Sequence, residues 1–168
     1  MNREQFLRRR IKVLTWLFIT GLVLSGATAI PLVSELGWLV DLTGARQLVG
    51  SPASANVPNW ATWLIKVQTT LQDTHDRNPV LFYGTDWLAF GHFVIALVFV
   101  GVLRDPVRNR WLFDFGLIAC VLVIPYALVF GGLRGIPFWW RLIDCSFGVF
   151  GFIPLWWCRK WAMELERC

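Results

Sequence analysis

The sequence PFWWRLIDCSFGVFGFIPLWW, residues 137–157, decides the fold prediction for this chain. At about 1.5 Å per residue, a helix of this length would be roughly 30 Å long, which is enough to cross a bilayer. The stretch nevertheless carries Arg141 and Asp144, which would lie one helical turn apart within the apolar run. Charged side chains at that depth are costly unless they are paired or face a polar interior. We therefore predict that this face points into a helical bundle and that the two charges partly neutralise each other.

The overall composition also indicates a membrane protein. The chain is 56% hydrophobic and 16% charged, whereas soluble domains are about 25% charged. Many of its 11 Trp residues flank apolar runs, as in the aromatic belts at membrane interfaces. The net charge of +5 is better explained by basic helix ends on one side of a membrane than by binding to nucleic acid. We therefore expect no nucleic-acid partner.

Hydropathy divides the chain into four predicted transmembrane spans and one long loop. Gly and Pro between the spans allow tight antiparallel packing. We predict an all-α membrane protein, a four-transmembrane-helix up-down bundle that forms a single membrane domain over residues 1–168. The predicted spans are residues 13–33, 83–104, 111–133 and 137–157.

The first predicted span has an alternative interpretation. A basic head, an apolar core and the sequence Ala27-Thr28-Ala29 are also typical of a cleavable signal peptide. Hydrophobicity resumes after that sequence, however, so we predict an uncleaved helix. Gly21, Ser25 and Ala29 recur at every fourth position, and such a stripe of small residues allows close approach of another helix.

Residues 34–82 form the long loop, in which we predict one or two amphipathic helices. Ser34 is the predicted cap of a short helix that Gly44 ends, and residues 50–58 are predicted to be extended. A second helix either lies flat at the interface or covers the bundle mouth as a lid. Its apolar face follows helical spacing through Trp60, Trp63, Leu64, Val67 and Leu71.

The distribution of basic residues predicts the orientation. Eleven Lys and Arg residues lie in the head, in the turn at residues 104–110 and in the tail from residue 159, all on one predicted side. Cytoplasmic segments carry such an excess of positive charge. We therefore predict a multi-pass protein of the plasma (bacterial inner) membrane, with cytoplasmic N- and C-termini and a periplasmic loop.

Three polar residues from three predicted spans fall in one layer of the outer leaflet. His92 would lie roughly 13 Å, and Tyr126 and Asp144 roughly 10 Å, from the outer ends of their spans at 1.5 Å per residue. We predict a catalytic role for these three, with His92 transferring protons and Asp144 tuning the pKa of its imidazole. The predicted ligand-binding residues lie closer to the outer surface, and they are Arg141, Arg134, Asp86 and Tyr83.

Each of these residues also has a structural interpretation. His92 would then donate a hydrogen bond to a neighbouring helix, and Arg141 with Asp144 would clamp two helices together. Asp86 would be a helix N-cap, and the Tyr126 hydroxyl would satisfy a carbonyl that the preceding proline leaves free. Their joint placement favours the functional interpretation.

Two functions remain open at this point. The first is that an outward-facing polar intramembrane pocket binds, and acts on, a small amphipathic or lipid-like ligand, with Arg141 or Arg134 holding an anionic headgroup. Arg134 could equally extend to lipid phosphate. The alternative is a non-catalytic membrane subunit or scaffold of a larger complex. The expected partners are the bilayer and either that ligand or a partner membrane subunit, and a homo-oligomer is left open.

The sequence identifies no cofactor and no metal site. A bis-histidine haem needs two axial imidazoles. His75 belongs to the loop, so a symmetric dimer would have to share two copies of His92. The run from Asp73 to Asp76 contains metal-capable side chains but is more typical of a solvated helix end. The four Cys residues form no CxxC pair, and whether the protein is an enzyme is undecided.

Overall fold

The structure is a computed structural model, and it describes residues 2–50 and 57–167. The described residues are almost entirely helical and contain no strand, which confirms the all-α prediction. The extended segment predicted around residues 50–58 lies mostly outside the described residues. The helices are α1 Arg3–Ala29, α2 Leu32–Leu42, α3 Ala45–Gly50, α4 Asn59–Arg77, a single 3-10 helix at Pro79–Phe82, α5 Tyr83–Arg104, α6 Trp111–Leu133 and α7 Phe138–Leu165.

Three segments of the described chain are helical, long and apolar enough to cross a membrane, which indicates a membrane protein. They are α1, the segment Pro79–Arg104 and α6. Helix α7 has 28 residues and carries Arg141 and Asp144 within its apolar run, and it is not among them. The fourth span therefore stays a prediction.

The chain divides into two compact units, which we describe separately. The terminal unit comprises residues 1–22 and 95–168, and the central unit comprises residues 23–94. The single membrane domain over residues 1–168 stays a prediction.

In the terminal unit, α6 and α7 pack against each other along much of their length. Glycines permit this close approach, since a methyl group on Gly148 would lie 2.5 Å from the carbonyl oxygen of Cys120 and 2.6 Å from Val123 Cγ1. Gly116 similarly accommodates the Leu155 side chain. The core around this pair buries large apolar side chains, among them Ile11, Phe99, Leu112, Phe113 and Leu155.

A tight glycine turn connects α6 to α7. Gly135 has φ +70, a conformation in which glycine pays no steric penalty. The amide of Ile136 donates to the Gly131 carbonyl (2.8 Å) and that of Gly135 to the Gly132 carbonyl (3.1 Å). These two bonds form a Schellman motif, which satisfies the last carbonyls of α6. Pro137 is the N-cap residue of α7, which begins at Phe138, so the chain reverses within a few residues.

Helix α7 continues well past residue 157, where the fourth span was predicted to end, and runs to Leu165. Its final turns form ion pairs with three other parts of the terminal unit. Glu164 pairs with Arg3 of α1. Glu166, just after α7, pairs with Arg110 in the turn before α6. Arg159 pairs with Asp114 at the start of α6.

The central unit contains α2, α3 and α4. Helix α1 ends at Ala29, and a turn at residues 30–31 separates it from α2. The first predicted span, which ended at residue 33, therefore extends beyond the helix. Ser34 does not cap α2, because the helix begins at Leu32 with Pro31 at its N-cap position. Gly44, with φ +67, does follow the end of α2. Helix α4 buries part of its apolar face and leaves its polar side exposed.

We expect Gly148→Ala to destabilise the terminal unit by about 1–3 kcal/mol, because the new methyl group would push the α7 backbone away from Cys120. Thermal unfolding of the purified protein in mild detergent measures the loss. Gly91→Ala is the matched control, since a Cβ at Gly91 meets nothing within 4 Å. Equal effects of the two substitutions would contradict the close packing of α6 and α7.

Candidate functional site

The seven predicted site residues divide between the two units. Tyr83, Asp86 and His92 belong to α5 in the central unit, whereas the other four belong to the terminal unit. A single pocket that joins the two sets therefore stays a prediction. The four residues in the terminal unit are Tyr126, Arg134, Arg141 and Asp144.

The first turns of α5 carry a shallow groove of about 240 Å³ that contains two of the predicted ligand-binding residues. It is lined by Tyr83, Asp86, Trp87 and Phe90, which share one helix face because they are three, four and seven positions apart. The Trp87 ring meets both aromatic neighbours edge-on, with centroid distances of 6.0 Å to Tyr83 and 5.5 Å to Phe90. We call these four residues the aromatic–acidic groove.

Asp86 is the only charged side chain among these four groove residues. It is not the N-cap that one interpretation assigned to it, because α5 begins at Tyr83 and Asp86 lies within the first turn. A carboxylate there is stabilised by the positive end of the helix dipole. Asp86 is exposed and belongs to no ion pair among the described residues. An unpaired carboxylate beside aromatic rings is suited to an organic cation.

His92 lies two turns further along α5 and bonds within its own helix. Its Nδ1 lies 2.8 Å from the Leu88 carbonyl oxygen. A carbonyl only accepts, so Nδ1 carries the proton and a neutral imidazole keeps Nε2 as a free acceptor. Among the described residues, His92 forms no hydrogen bond with a neighbouring helix. Helix α1 approaches here, since a Cβ on Gly26 would lie 3.1 Å from His92 Cβ.

Arg141 lies across the C-terminal end of α6. Its Nη1 donates to the Leu128 carbonyl oxygen (3.1 Å), and its aliphatic part fills the space above Gly131, where a Cβ would lie 2.6 Å from Cγ and Cδ. The guanidinium also lies over the Phe138 ring, 5.4 Å from its centroid. A cation at this position complements the negative end of the α6 dipole.

Arg141 and Asp144 form no ion pair in the structure, so their expected mutual neutralisation is wrong. Arg141 instead clamps α7 to the backbone of α6. Its Nε is buried without a hydrogen-bond partner among the described residues. Asp144 is half-buried one turn along α7. The clamp is thus an arginine–carbonyl contact rather than an arginine–carboxylate contact.

Tyr126 and Arg134 are both exposed on α6 or at its end. Tyr126 is 64% exposed, and its ring packs against Phe130 with centroids 4.4 Å apart. Its hydroxyl forms no hydrogen bond with the residues that the structure describes, so it does not satisfy a carbonyl freed by Pro125. Arg134 occupies the C-cap position of α6. Within residues 2–50 and 57–167, no hydrogen bond or ion pair holds either side chain in place.

Asp114 and Arg159 form an ion pair that we did not predict from the sequence. The two residues join the start of α6 to the last third of α7 and line a cavity of about 430 Å³ with mostly apolar walls. The available signal was that both lie at the ends of neighbouring predicted spans on the same predicted side.

Over residues 2–50 and 57–167, no three His, Cys, Asp or Glu side chains gather closely enough to hold a metal ion. In the run from Asp73 to Asp76, the metal-capable side chains each contact a different neighbour. Asp73 pairs with Arg77, Asp76 accepts from Gln72, and the His75 ring meets Phe82 edge-on.

Comparison with protein-family models, with curated proteins and with solved structures finds no match for this chain. The case for a function therefore depends on the side chains described above.

We expect Arg141→Ala to lower the free energy of unfolding by about 1.5–3 kcal/mol, because a hydrogen bond from a charged group and its packing are lost. Arg134→Ala removes the same charge from the same helix end and should change stability by less than about 0.5 kcal/mol, as at other exposed sites. Thermal unfolding of both variants in one detergent measures the difference. Unchanged stability of Arg141→Ala would contradict the clamp.

Proposed function

We propose that this chain is a four-span protein of the bacterial inner membrane, with cytoplasmic termini, that binds a small amphipathic ligand at its outward-facing side. Three apolar helices support membrane insertion. Helix α7, with 28 residues, is roughly 40 Å long at 1.5 Å per residue, which suffices for a fourth span. The excess of Lys and Arg in the head, the turn at residues 104–110 and the tail supports the orientation.

The aromatic–acidic groove is the observation that carries the ligand proposal. It combines an unpaired carboxylate, Asp86, with three aromatic rings at the beginning of an apolar helix. In the proposed orientation this end of α5 lies at the outer interface, so a ligand headgroup would occupy the groove while its apolar chain extends along the helix. Aromatic rings and a carboxylate attract an ammonium group through cation–π and Coulomb interactions.

The ligand class that we propose is therefore a cationic amphiphile, with an alkyl chain and an amine or quaternary ammonium headgroup. This differs from the anionic headgroup that Arg141 was expected to hold, because that guanidinium already binds the end of α6. Arg134 is exposed and remains a candidate for lipid phosphate.

A catalytic role of His92, Tyr126 and Asp144 stays a prediction. The feature that supports it is the free Nε2 acceptor of His92, since the proton on Nδ1 is fixed by the Leu88 carbonyl. His92→Ala should then reduce turnover of a bound amphiphile without changing the melting temperature, because its hydrogen bond is confined to one helix. Unchanged turnover would restrict the proposal to ligand binding.

We expect Asp86→Asn to weaken binding of decyltrimethylammonium, used below its micellar concentration, by about tenfold, because the Coulomb attraction to the headgroup is lost. Trp87→Ala should weaken it as well. Isothermal titration calorimetry on the purified protein in an uncharged detergent measures both affinities.

Two matched controls test whether the effect is local to the groove. Glu35→Gln removes the same charge from α2 in the same unit, and Trp38→Ala removes an exposed Trp from that helix. Both variants should bind like the wild type. If Asp86→Asn binds normally, or if the controls lose as much affinity, the groove is not the binding site.

A second candidate function is a non-catalytic subunit or scaffold. Within α1, Gly26 is the small residue that is buried against α5, whereas Gly21 and Ser25 of the predicted stripe are exposed. That part of the helix surface remains open for a partner helix. Purification in mild detergent followed by native mass measurement distinguishes the two functions. A stoichiometric membrane partner, lost in Gly21→Leu, would favour the scaffold.

A further inference from the structure

We propose that the terminal unit binds an anionic phospholipid in a groove between the start of α1 and the end of α7. This site is separate from the aromatic–acidic groove, and the inference depends only on the chain lying in a membrane. The groove has a volume of about 350 Å³. It is lined by Phe6, Arg9, Arg10, Val13, Leu14 and Trp161, and we call it the arginine groove.

The lining of the groove changes from polar to apolar along α1. Arg9 and Arg10 lie at one end, and Val13 and Leu14, where the apolar run of α1 begins, lie at the other. A phospholipid has the same order, with a charged phosphate above acyl chains. Trp161 lies on the facing helix, and Trp is the residue enriched at the depth of headgroups.

The guanidinium groups in the groove are available to an anion. The carboxylates nearby are engaged by other arginines, since Glu4 pairs with Arg8 and Glu164 with Arg3. Arg9 and Arg10 form no ion pair among the described residues. The groove therefore presents two positive charges without a protein counter-ion.

Aromatic rings hold one of these charges in position. The Arg10 guanidinium lies 4.2 Å from the Phe6 ring centroid and 5.5 Å from that of Trp161. Such contacts leave the edge of the planar guanidinium free to donate to phosphate oxygens. A side chain held in place loses less conformational entropy when a ligand binds. Basic pockets between transmembrane helices are a known mode of binding anionic headgroups.

The test compares phosphatidylglycerol with phosphatidylcholine of identical acyl chains, added to the purified full chain in uncharged detergent. We expect phosphatidylglycerol to raise the melting temperature and to remain bound in native mass spectra, and phosphatidylcholine to do neither. Arg9→Gln with Arg10→Gln should weaken the apparent affinity by about tenfold or more, at roughly 1 kcal/mol per basic residue. Raising the salt concentration should weaken it further.

The matched control is Arg104→Gln with Arg108→Gln. It removes the same charge from two exposed arginines in the terminal unit that do not line the groove, and it should bind like the wild type. If the double groove variant does not fold, the single variant Arg9→Gln, at an exposed residue, should weaken the apparent affinity by about fivefold, at roughly 1 kcal/mol for one basic residue.

Three results would overturn the proposal. They are equal stabilisation by phosphatidylcholine, equal loss in the control, and a full effect of inorganic phosphate alone, which would indicate a simple anion site. Because no variant alters a residue of the aromatic–acidic groove, failure here leaves the proposed ligand site untouched, and the reverse also holds.

Discussion

The close contact between the α6 and α7 backbones is the constraint on which the terminal unit depends. At Gly148 the two helices approach so closely that a single methyl group would collide with the Cys120 carbonyl. The tight turn at Gly135 brings the two helices together from their connected ends. Arg141 of α7 can reach the Leu128 carbonyl, in the last two turns of α6, because this spacing is so short.

The polar side chains within the apolar helices fall into two groups. Some of them satisfy the structure itself, as Arg141 does at the α6 end and Arg159 does with Asp114. Others form no ion pair within the part of the chain that the structure describes, as Asp86 on α5 and Arg9 on α1 show. Groups of the second kind are the ones that a ligand can contact, and both proposals depend on them.

Much of the fold was predictable because it follows from local patterns. The length of the apolar runs predicted α1, α5 and α6, and Gly44 marked the end of α2. The sequence did not predict which residues of other helices the end of α7 contacts. Glu164 pairs with Arg3 of α1 and Arg159 pairs with Asp114 of α6, and the sequence of α7 itself does not identify those partners.

For the candidate site, the sequence by itself determined which polar residues interrupt the apolar helices, since hydropathy and helical spacing are local properties. It also determined that Tyr83 and Asp86 share a helix face. Only the tertiary structure decided what each charge contacts. Arg141 donates to the Leu128 carbonyl of α6 rather than pairing with Asp144 on its own helix. Such a contact depends on where α6 lies in space, and the spacing of residues along α7 does not give that position.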